Sequence, residues 1–136
     1  MKVVITGGHF SPALSVIQLL QKQKAEILVI GRKHVFEGDS DESFEYKVCQ
    51  DLNIPFKNLE TGRLQRTITK RTFQSLLKIP HGFLTAQQIL KQFKPDVIYD
   101  CDITELGRTI LFEVAVARNI PYINLESARF GHYQLP

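Results

Sequence analysis

The opening residues Lys2-Val3-Val4-Ile5-Thr6-Gly7-Gly8 are typical of a buried parallel strand that runs into a tight turn. An amphipathic helix is predicted over residues 13–24, because apolar side chains recur there at helical spacing: Ala13, Leu14, Val16, Ile17 and Leu20. Pro12 fits the first turn of this helix, where no amide donor is missed. A strand, a glycine turn and a helix in this order favour an α/β domain.

The alternation of strands and helices continues along the chain. Further strands are predicted at residues 26–30, 54–56, 96–100 and 122–125. Further helices are predicted at residues 41–51, 72–77, 84–93 and 105–118. Strands that alternate with helices imply parallel pairing through helical crossovers. Residues 1–136 are therefore predicted to form a single Rossmann-like α/β domain, with a parallel sheet of about five or more strands and helices on both faces.

Several details of this prediction depend on single residues. Pro55 places the third strand at an edge of the sheet. Pro80 is expected to stop the short helix at 72–77, which follows a loop. The helix at 41–51 rests on the spacing of Phe44, Val48 and Leu52. Thr104 is expected to cap the last helix, whose inward side chains are predicted to be Ile110, Leu111, Val114 and Ala117.

Composition excludes several classes of protein. The chain has 136 residues, 43% of them hydrophobic and 23% charged, as in ordinary globular domains. The net charge of +3 is too small to predict nucleic-acid binding. Cys49 and Cys101 match no metal-ligand spacing and are interpreted as free thiols of a cytosolic protein. Neither a metal nor a cofactor is predicted.

Charge is distributed unevenly along the middle of the chain. Residues 37–51 carry six acids and one base, whereas residues 57–78 carry six bases and one acid. The basic stretch is interleaved with apolar residues, which is typical of a protein that works at an anionic membrane surface. Solvated helix faces and loops would have the same composition, so both interpretations stay open.

Three points in the sequence fall at the carboxyl ends of predicted strands, where ligands bind in parallel sheets. Gly7 and Gly8 allow backbone amides to approach a phosphate, or they form only a tight turn. His9 follows at once and either contacts a ligand or is structural. Asp100 and Asp102 flank the end of the fourth strand, and Glu126 follows the fifth.

The run Thr6-Gly7-Gly8-His9-Phe10-Ser11-Pro12-Ala13-Leu14-Ser15-Val16 resembles the G-G-T-G-G-H-x-x-P-A-L-A signature of family 28 glycosyltransferases. Weaker matches follow in the same order as in that family, at residues 30–32, 62–66, 94–98 and 119–121. The resemblance covers nearly the whole chain. It implies one half of a GT-B fold, which is built from two Rossmann-like domains.

The resemblance also implies a role for several individual residues. Thr6, Gly7, Gly8 and His9 would bind the pyrophosphate of a lipid-linked sugar acceptor. His9 would lie near the reacting centre as the base, supported by Glu126. The reaction implied is inverting transfer of N-acetylglucosamine to an acceptor hydroxyl, in peptidoglycan synthesis of the lipid I to lipid II type.

Location and partners follow from the same resemblance. The basic segment, with Arg63, Arg66, Lys70 and Arg71, would face the membrane or the acceptor. The chain is therefore expected to be cytoplasmic and peripheral to the inner face of the plasma membrane. UDP-N-acetylglucosamine would bind through a separate donor domain, expected to be absent here and supplied by the rest of a longer enzyme or by a second chain. The isolated chain is accordingly expected to lack transferase activity.

Two departures from the family pattern keep other functions open. Residues 100–104 stand where a second glycine loop, G-G-Y-x-S, is expected, and Leu125, Ser127 and Ala128 replace the neighbours of the family's glutamate. The alternative is a UDP-N-acetylglucosamine 2-epimerase-like domain, in which Asp102 and Glu126 would serve proton transfer and elimination. A further alternative is a non-catalytic binding module or partner subunit of a split glycosyltransferase.

Overall fold

A computed structural model describes residues 1–7, 10–34, 41–61, 70–101 and 106–124, and of residues 70–77 it describes the backbone alone. The elements follow each other in the order β1 (Lys2–Thr6), α1 (Phe10–Lys22), β2 (Glu26–Gly31), α2 (Phe44–Asp51), β3 (Phe56–Asn58), α3 (Lys70–Phe93), β4 (Val97–Asp100), α4 (Leu106–Ala117) and β5 (Tyr122–Asn124). The predicted alternation of strands and helices is confirmed.

The described strands form one five-stranded sheet in the order β3-β2-β1-β4-β5. Each neighbouring pair is parallel, and Ile5 in the central strand pairs with Val29 on one side and Tyr99 on the other. The strand order reverses between β1 and β4, which is the place where ligands bind in open α/β sheets. The third strand lies at an edge, as predicted, but it spans Phe56–Asn58 rather than residues 54–56, so Pro55 precedes it.

Hydrophobic cores cover both faces of the sheet. On one face Val3 and Ile5 pack with buried residues of α1 and α2. On the other face Val4 packs with buried residues of α3 and α4. Successive side chains of a strand point to opposite faces, so a continuous apolar run supplies both cores at once. The predicted helices on both faces are confirmed.

The four helix-to-strand turns each contain a non-glycine residue with a left-handed backbone: Lys24, Asn53, Lys94 and Asn119. After Lys24, Asn53 and Asn119 the amide of the next residue reaches back into the preceding helix, as in the 2.8 Å bond from Ile54 N to the Cys49 carbonyl, whereas Lys94 is followed by Pro95, which has no amide proton. Such bonds satisfy carbonyls that the helix end leaves without partners. Because these positions are not glycine, the sequence does not mark these turns in the way that glycine marks others.

The predicted stop at Pro80 is wrong. Helix α3 runs without interruption from Lys70 to Phe93, and Pro80 lies inside it. A proline removes one intrahelical hydrogen bond and crowds the preceding turn, at a cost of about 3 kcal/mol. Buried Ala86, Ile89 and Leu90 anchor the following turns in the core and offset that cost.

Two of the three residues whose spacing predicts the second helix are exposed. Phe44 is 62% exposed and Leu52 is 39% exposed, whereas Cys49 is fully buried. The helix begins at Phe44 rather than at residue 41, because Ser43 caps it by accepting a hydrogen bond from Tyr46 N at 3.2 Å.

In α4, Ile110, Leu111 and Val114 are buried as predicted, but Ala117 is exposed and Ala115 is buried in its place. The turn of the helix places positions 111 and 115 on one face, which displaces 117 from it. The predicted cap Thr104 and the predicted strand end at residue 125 lie outside the described residues.

Cys49 and Cys101 are free, as expected, and both are buried. Among the described residues there is no group of three or more His, Cys, Asp or Glu side chains that could hold a metal ion. The helices in the described part of the chain include none that is both long and apolar enough to cross a membrane.

Candidate functional site

A cavity of about 300 Å³ lies at the carboxyl end of the sheet, and we call it the edge cavity. Its wall includes the ends of β1 and β2, at Gly7 and Gly31. The starts of two helices also line it, with Glu45 from α2 and Arg108 from α4. Parallel strands bring their carboxyl ends together at one edge, which is why residues far apart in sequence share this cavity.

Two glycines allow the strand ends to approach each other in this wall. A Cβ atom on Gly7 would lie 3.3 Å from Glu45 Cγ and 3.6 Å from Gly31 Cα. A Cβ atom on Gly31 would lie 3.3 Å from the ring of Phe56. The Gly7 amide donates to the Ile30 carbonyl at 2.8 Å, so this amide belongs to the sheet. The Gly7 amide is therefore not a donor to a ligand in this arrangement.

The side chain of Thr6 connects the two strands at which the strand order reverses. Its hydroxyl donates to Asp100 Oδ1 at 2.5 Å and accepts from the Cys101 amide at 3.3 Å. Thr6 and Asp100 are both buried. Since one hydroxyl has a single proton to donate, the proton of Thr6 is used in the bond to Asp100, which holds β1 against β4.

A buried ion pair completes this cluster of polar side chains. Arg108 Nη1 lies 3.6 Å from Asp100 Oδ1, and the two side chains are only 6% and 3% exposed. Arg108 lines the edge cavity and also a second cavity of about 280 Å³, which Asp100 and Tyr122 line as well. The guanidinium of Arg108 is therefore a buried cation in the shared wall of the two cavities, with little water around it.

Burial dominates the ionisation of the neighbouring groups. It raises the pKa of the Cys101 thiol from 9.0 to about 11, with a further increase from the Asp100 carboxylate and an opposing effect of Arg108. Burial and the same carboxylate raise the pKa of the Tyr122 hydroxyl far above its usual range. Both groups are neutral near pH 7, so neither supplies an anionic nucleophile at this edge of the sheet.

Thr61, which follows β3, lies in the cavity wall. It is 2% exposed and lies between two helical glycines, Gly82 in α3 and Gly107 in α4. A Cβ atom on Gly82 would lie only 2.6 Å from Thr61 Cγ2, and one on Gly107 would lie 3.1 Å from its Oγ1. The two glycines thus leave space for a side chain that anchors the chain just before residues 62–69.

Ser43 attaches the start of α2 to the end of β2. Its hydroxyl donates to the Arg32 carbonyl at 2.6 Å, and its amide donates to the Lys33 carbonyl at 2.7 Å. Lys33 in turn forms an ion pair with Glu42 at 3.9 Å. These bonds hold Phe44 and Glu45 in position at the cavity wall.

The structure describes only part of the predicted site. Thr6 and Gly7 line the edge cavity, and Asp100 contacts Thr6. Lys70 and Arg71 are the first two residues of α3, known here from their backbone. The other predicted site residues lie outside the described residues, so their roles stay predictions: Gly8, His9, Arg63, Arg66, Asp102 and Glu126.

Arg108 is the site residue that the sequence reasoning missed. Helical spacing could have identified it, because Arg108 lies three positions before Leu111 and seven before Ala115, which places all three on one face of α4. All three are buried. A cation on the apolar face of a helix requires a buried partner, and Asp100 at the end of the preceding strand is that partner.

Comparisons with known proteins agree with this architecture. Residues 3–104 match the family model described as glycosyltransferase family 28 N-terminal domain. The chain is 34% identical over 127 residues to the UDP-N-acetylglucosamine--N-acetylmuramyl-(pentapeptide) pyrophosphoryl-undecaprenol N-acetylglucosamine transferase of Halothermothrix orenii, covering 90% of this chain and 32% of the relative. The enzyme of the same name from Clostridium botulinum is 29% identical over 133 residues, with 93% and 34% covered.

The fold has a counterpart among solved structures. The crystal structure of Acinetobacter baumannii MurG superposes with a TM-score of 0.67 at 20% identity, over 90% of this chain and 34% of that one. The chain thus spans about a third of the length of the curated relatives that it matches.

Proposed function

The chain belongs to the glycosyltransferase family 28 N-terminal domain family, and on this premise we propose that it is the acceptor-binding half of a UDP-N-acetylglucosamine-dependent glycosyltransferase. The acceptor is a lipid-linked sugar pyrophosphate of the lipid I type, used in peptidoglycan synthesis. The observation that carries the proposal is the edge cavity, which lies at the carboxyl ends of β1 and β2 with the Thr6–Gly7 turn in its wall.

The proposed chemistry is inverting transfer of N-acetylglucosamine to an acceptor hydroxyl. His9 follows the cavity residue Gly7 by two positions and is proposed as the base that removes the hydroxyl proton, with Glu126 supporting it. In the full assembly, His9→Ala should lower turnover by about 100-fold, the usual size of a general-base contribution. An unchanged rate would remove His9 from the mechanism.

The donor, UDP-N-acetylglucosamine, is proposed to bind to a separate donor domain. The relatives are about three times as long as the matched region, which leaves ample length for a second domain. That domain belongs either to the same longer protein or to a second chain. The 136-residue chain alone should therefore show no transferase activity. Turnover of UDP-N-acetylglucosamine by the purified chain would contradict this.

A location at the inner face of the plasma membrane is proposed from α3. The helix begins with the bases Lys70 and Arg71, and Phe83 and Leu84 further along it are exposed. A helix that carries both bases and exposed apolar side chains favours contact with anionic lipid. Sedimentation with vesicles of phosphatidylglycerol and phosphatidylcholine tests this. Leu84→Ser should reduce binding, whereas Ser15→Ala, on the exposed face of α1, should leave it unchanged.

Calorimetric titration of the chain with a short-chain polyprenyl-pyrophosphate sugar tests the main proposal, with UDP-N-acetylglucosamine as the parallel ligand. We expect the lipid pyrophosphate to bind and Gly7→Ala to weaken it, because the added methyl group lies 3.3 Å from Glu45 in the cavity wall. Ser15→Ala is the control, and thermal melting verifies that each variant is folded. Binding of the UDP-sugar alone would overturn the proposal and favour an epimerase-like domain.

A further inference from the structure

The buried pair of Arg108 and Asp100 is not explained by stability. Moving two charged groups out of water is costly, and apolar residues of similar volume often serve a fold equally well or better. The pair nevertheless lies in the wall of the candidate site, at the point where the strand order reverses. A costly pair at that place points to a role in binding.

The geometry of the pair places the guanidinium of Arg108 beside the carboxylate of Asp100. The distance of 3.6 Å between Nη1 and Oδ1 is longer than the roughly 2.7–2.9 Å of a charge-assisted hydrogen bond. The same Oδ1 already accepts the hydroxyl proton of Thr6 at 2.5 Å. Asp100 therefore balances the charge of Arg108 in the absence of a ligand and also accepts from Thr6.

The surroundings of Arg108 suit a phosphate group. A guanidinium is a planar fork of five N–H donors that matches phosphate oxygens in pairs. Arg108 is in the first turn of the twelve-residue helix α4, and the amino-terminal end of a helix also favours an anion. Its neighbour Gly107 and the strand-end residue Gly7 line the same cavity, so that wall carries little side-chain bulk.

We propose that Arg108 is the anion-binding residue of the edge cavity and takes a phosphate or pyrophosphate group, with Asp100 as the internal counter-ion that this group displaces. The proposal rests on the function proposed above, because it assigns the pyrophosphate of the acceptor to a particular side chain. An inorganic pyrophosphate ion and a nucleotide diphosphate present the same chemistry, so they are separate arms of the test.

The test is a titration of the full chain with inorganic pyrophosphate, geranyl pyrophosphate and UDP. Wild type should bind the pyrophosphates. Arg108→Met should weaken them at least about tenfold, the loss expected for hydrogen bonds to a charged group. Asp100→Asn should strengthen them, because the amide oxygen still accepts from Thr6 while the competing negative charge is gone. A purely structural pair would not produce opposite effects in the two variants.

The double variant Asp100→Asn/Arg108→Met is the control for loss of folding, because removing both charges leaves neither one buried without its counter-charge. It should melt as a folded domain and still fail to bind. Pyrophosphate affinity equal to that of wild type in this variant would overturn the assignment. If the polyprenyl-pyrophosphate sugar binds wild type and this variant equally, Arg108 is excluded and the acceptor function stands. If inorganic pyrophosphate or UDP binds through Arg108 but the lipid does not, the anion site stands and the acceptor function fails.

Discussion

Replacement of Gly82 by alanine should destabilise the domain through one identifiable contact. The added Cβ would lie 2.6 Å from Thr61 Cγ2 and 3.3 Å from the Glu60 carbonyl oxygen, so Thr61 must move by roughly 1 Å to restore ordinary contact. On its other side Thr61 meets Gly107 of α4, whose own Cβ position is 3.1 Å from Thr61 Oγ1. Movement in that direction is therefore opposed.

The magnitude follows from two opposing terms. Overpacking a buried site costs about 1–3 kcal/mol, and alanine gains about 1 kcal/mol over glycine inside a helix. Because Thr61 is held from two sides, we expect the upper part of that range and a net loss of about 1–2 kcal/mol for Gly82→Ala. Gly107→Ala is the matched control, and its looser contact should make it less destabilising.

Urea unfolding followed by far-UV circular dichroism is the assay, since the chain contains no tryptophan. Thr61→Ser removes the clashing methyl group, so the double variant with Gly82→Ala should be more stable than the sum of the single effects predicts, by about 1 kcal/mol or more. A Gly82→Ala protein as stable as wild type, or effects that simply add, would refute the contact as its cause. Displacing Thr61 should also weaken acceptor binding, because Thr61 lines the edge cavity.

Three further predictions concern the fold. Burial raises the pKa of Cys49 and Cys101 from 9.0 to about 11, so the stability that comes from the neutral thiols is present below pH 9 and is lost between pH 9 and 11. Urea midpoints should therefore fall over that pH range, and at pH 8 the thiols of the native protein should alkylate about 100-fold more slowly than those of the unfolded protein. Lys24→Gly should raise stability by about 0.5–1 kcal/mol because residue 24 has a φ of 56°, whereas helical Lys22→Gly should lower it by about 1 kcal/mol in the same assay. Pro80→Ala should raise the urea midpoint, since it restores one amide donor inside α3, and an unchanged or lower midpoint would contradict that reason.

Much of the fold was predictable because its signals are local. The run from Lys2 to Thr6 and the apolar periodicity of α1 identify a strand and a helix without knowledge of the remaining chain. The α3 helix was predicted in two parts because Pro80 breaks the local rule, and the packing that offsets it involves residues distant in sequence. The exposed Phe44 shows the same limit, since periodicity marks a helix but does not fix which side meets the core.

In the candidate site, too, features that depend on local sequence were predictable, whereas contacts between distant residues were not. The position of Gly7 after the first strand, and of Asp100 at the end of the fourth, follow from strand patterns, because every carboxyl end of a parallel sheet lies at one edge. That Thr6 donates to Asp100 across 94 positions of sequence, and that Arg108 pairs with the same carboxylate, depends on which strands are neighbours and on how α4 packs. Pairing and packing are set by the sum of contacts over the whole domain, so these partners emerge only when the chain is folded.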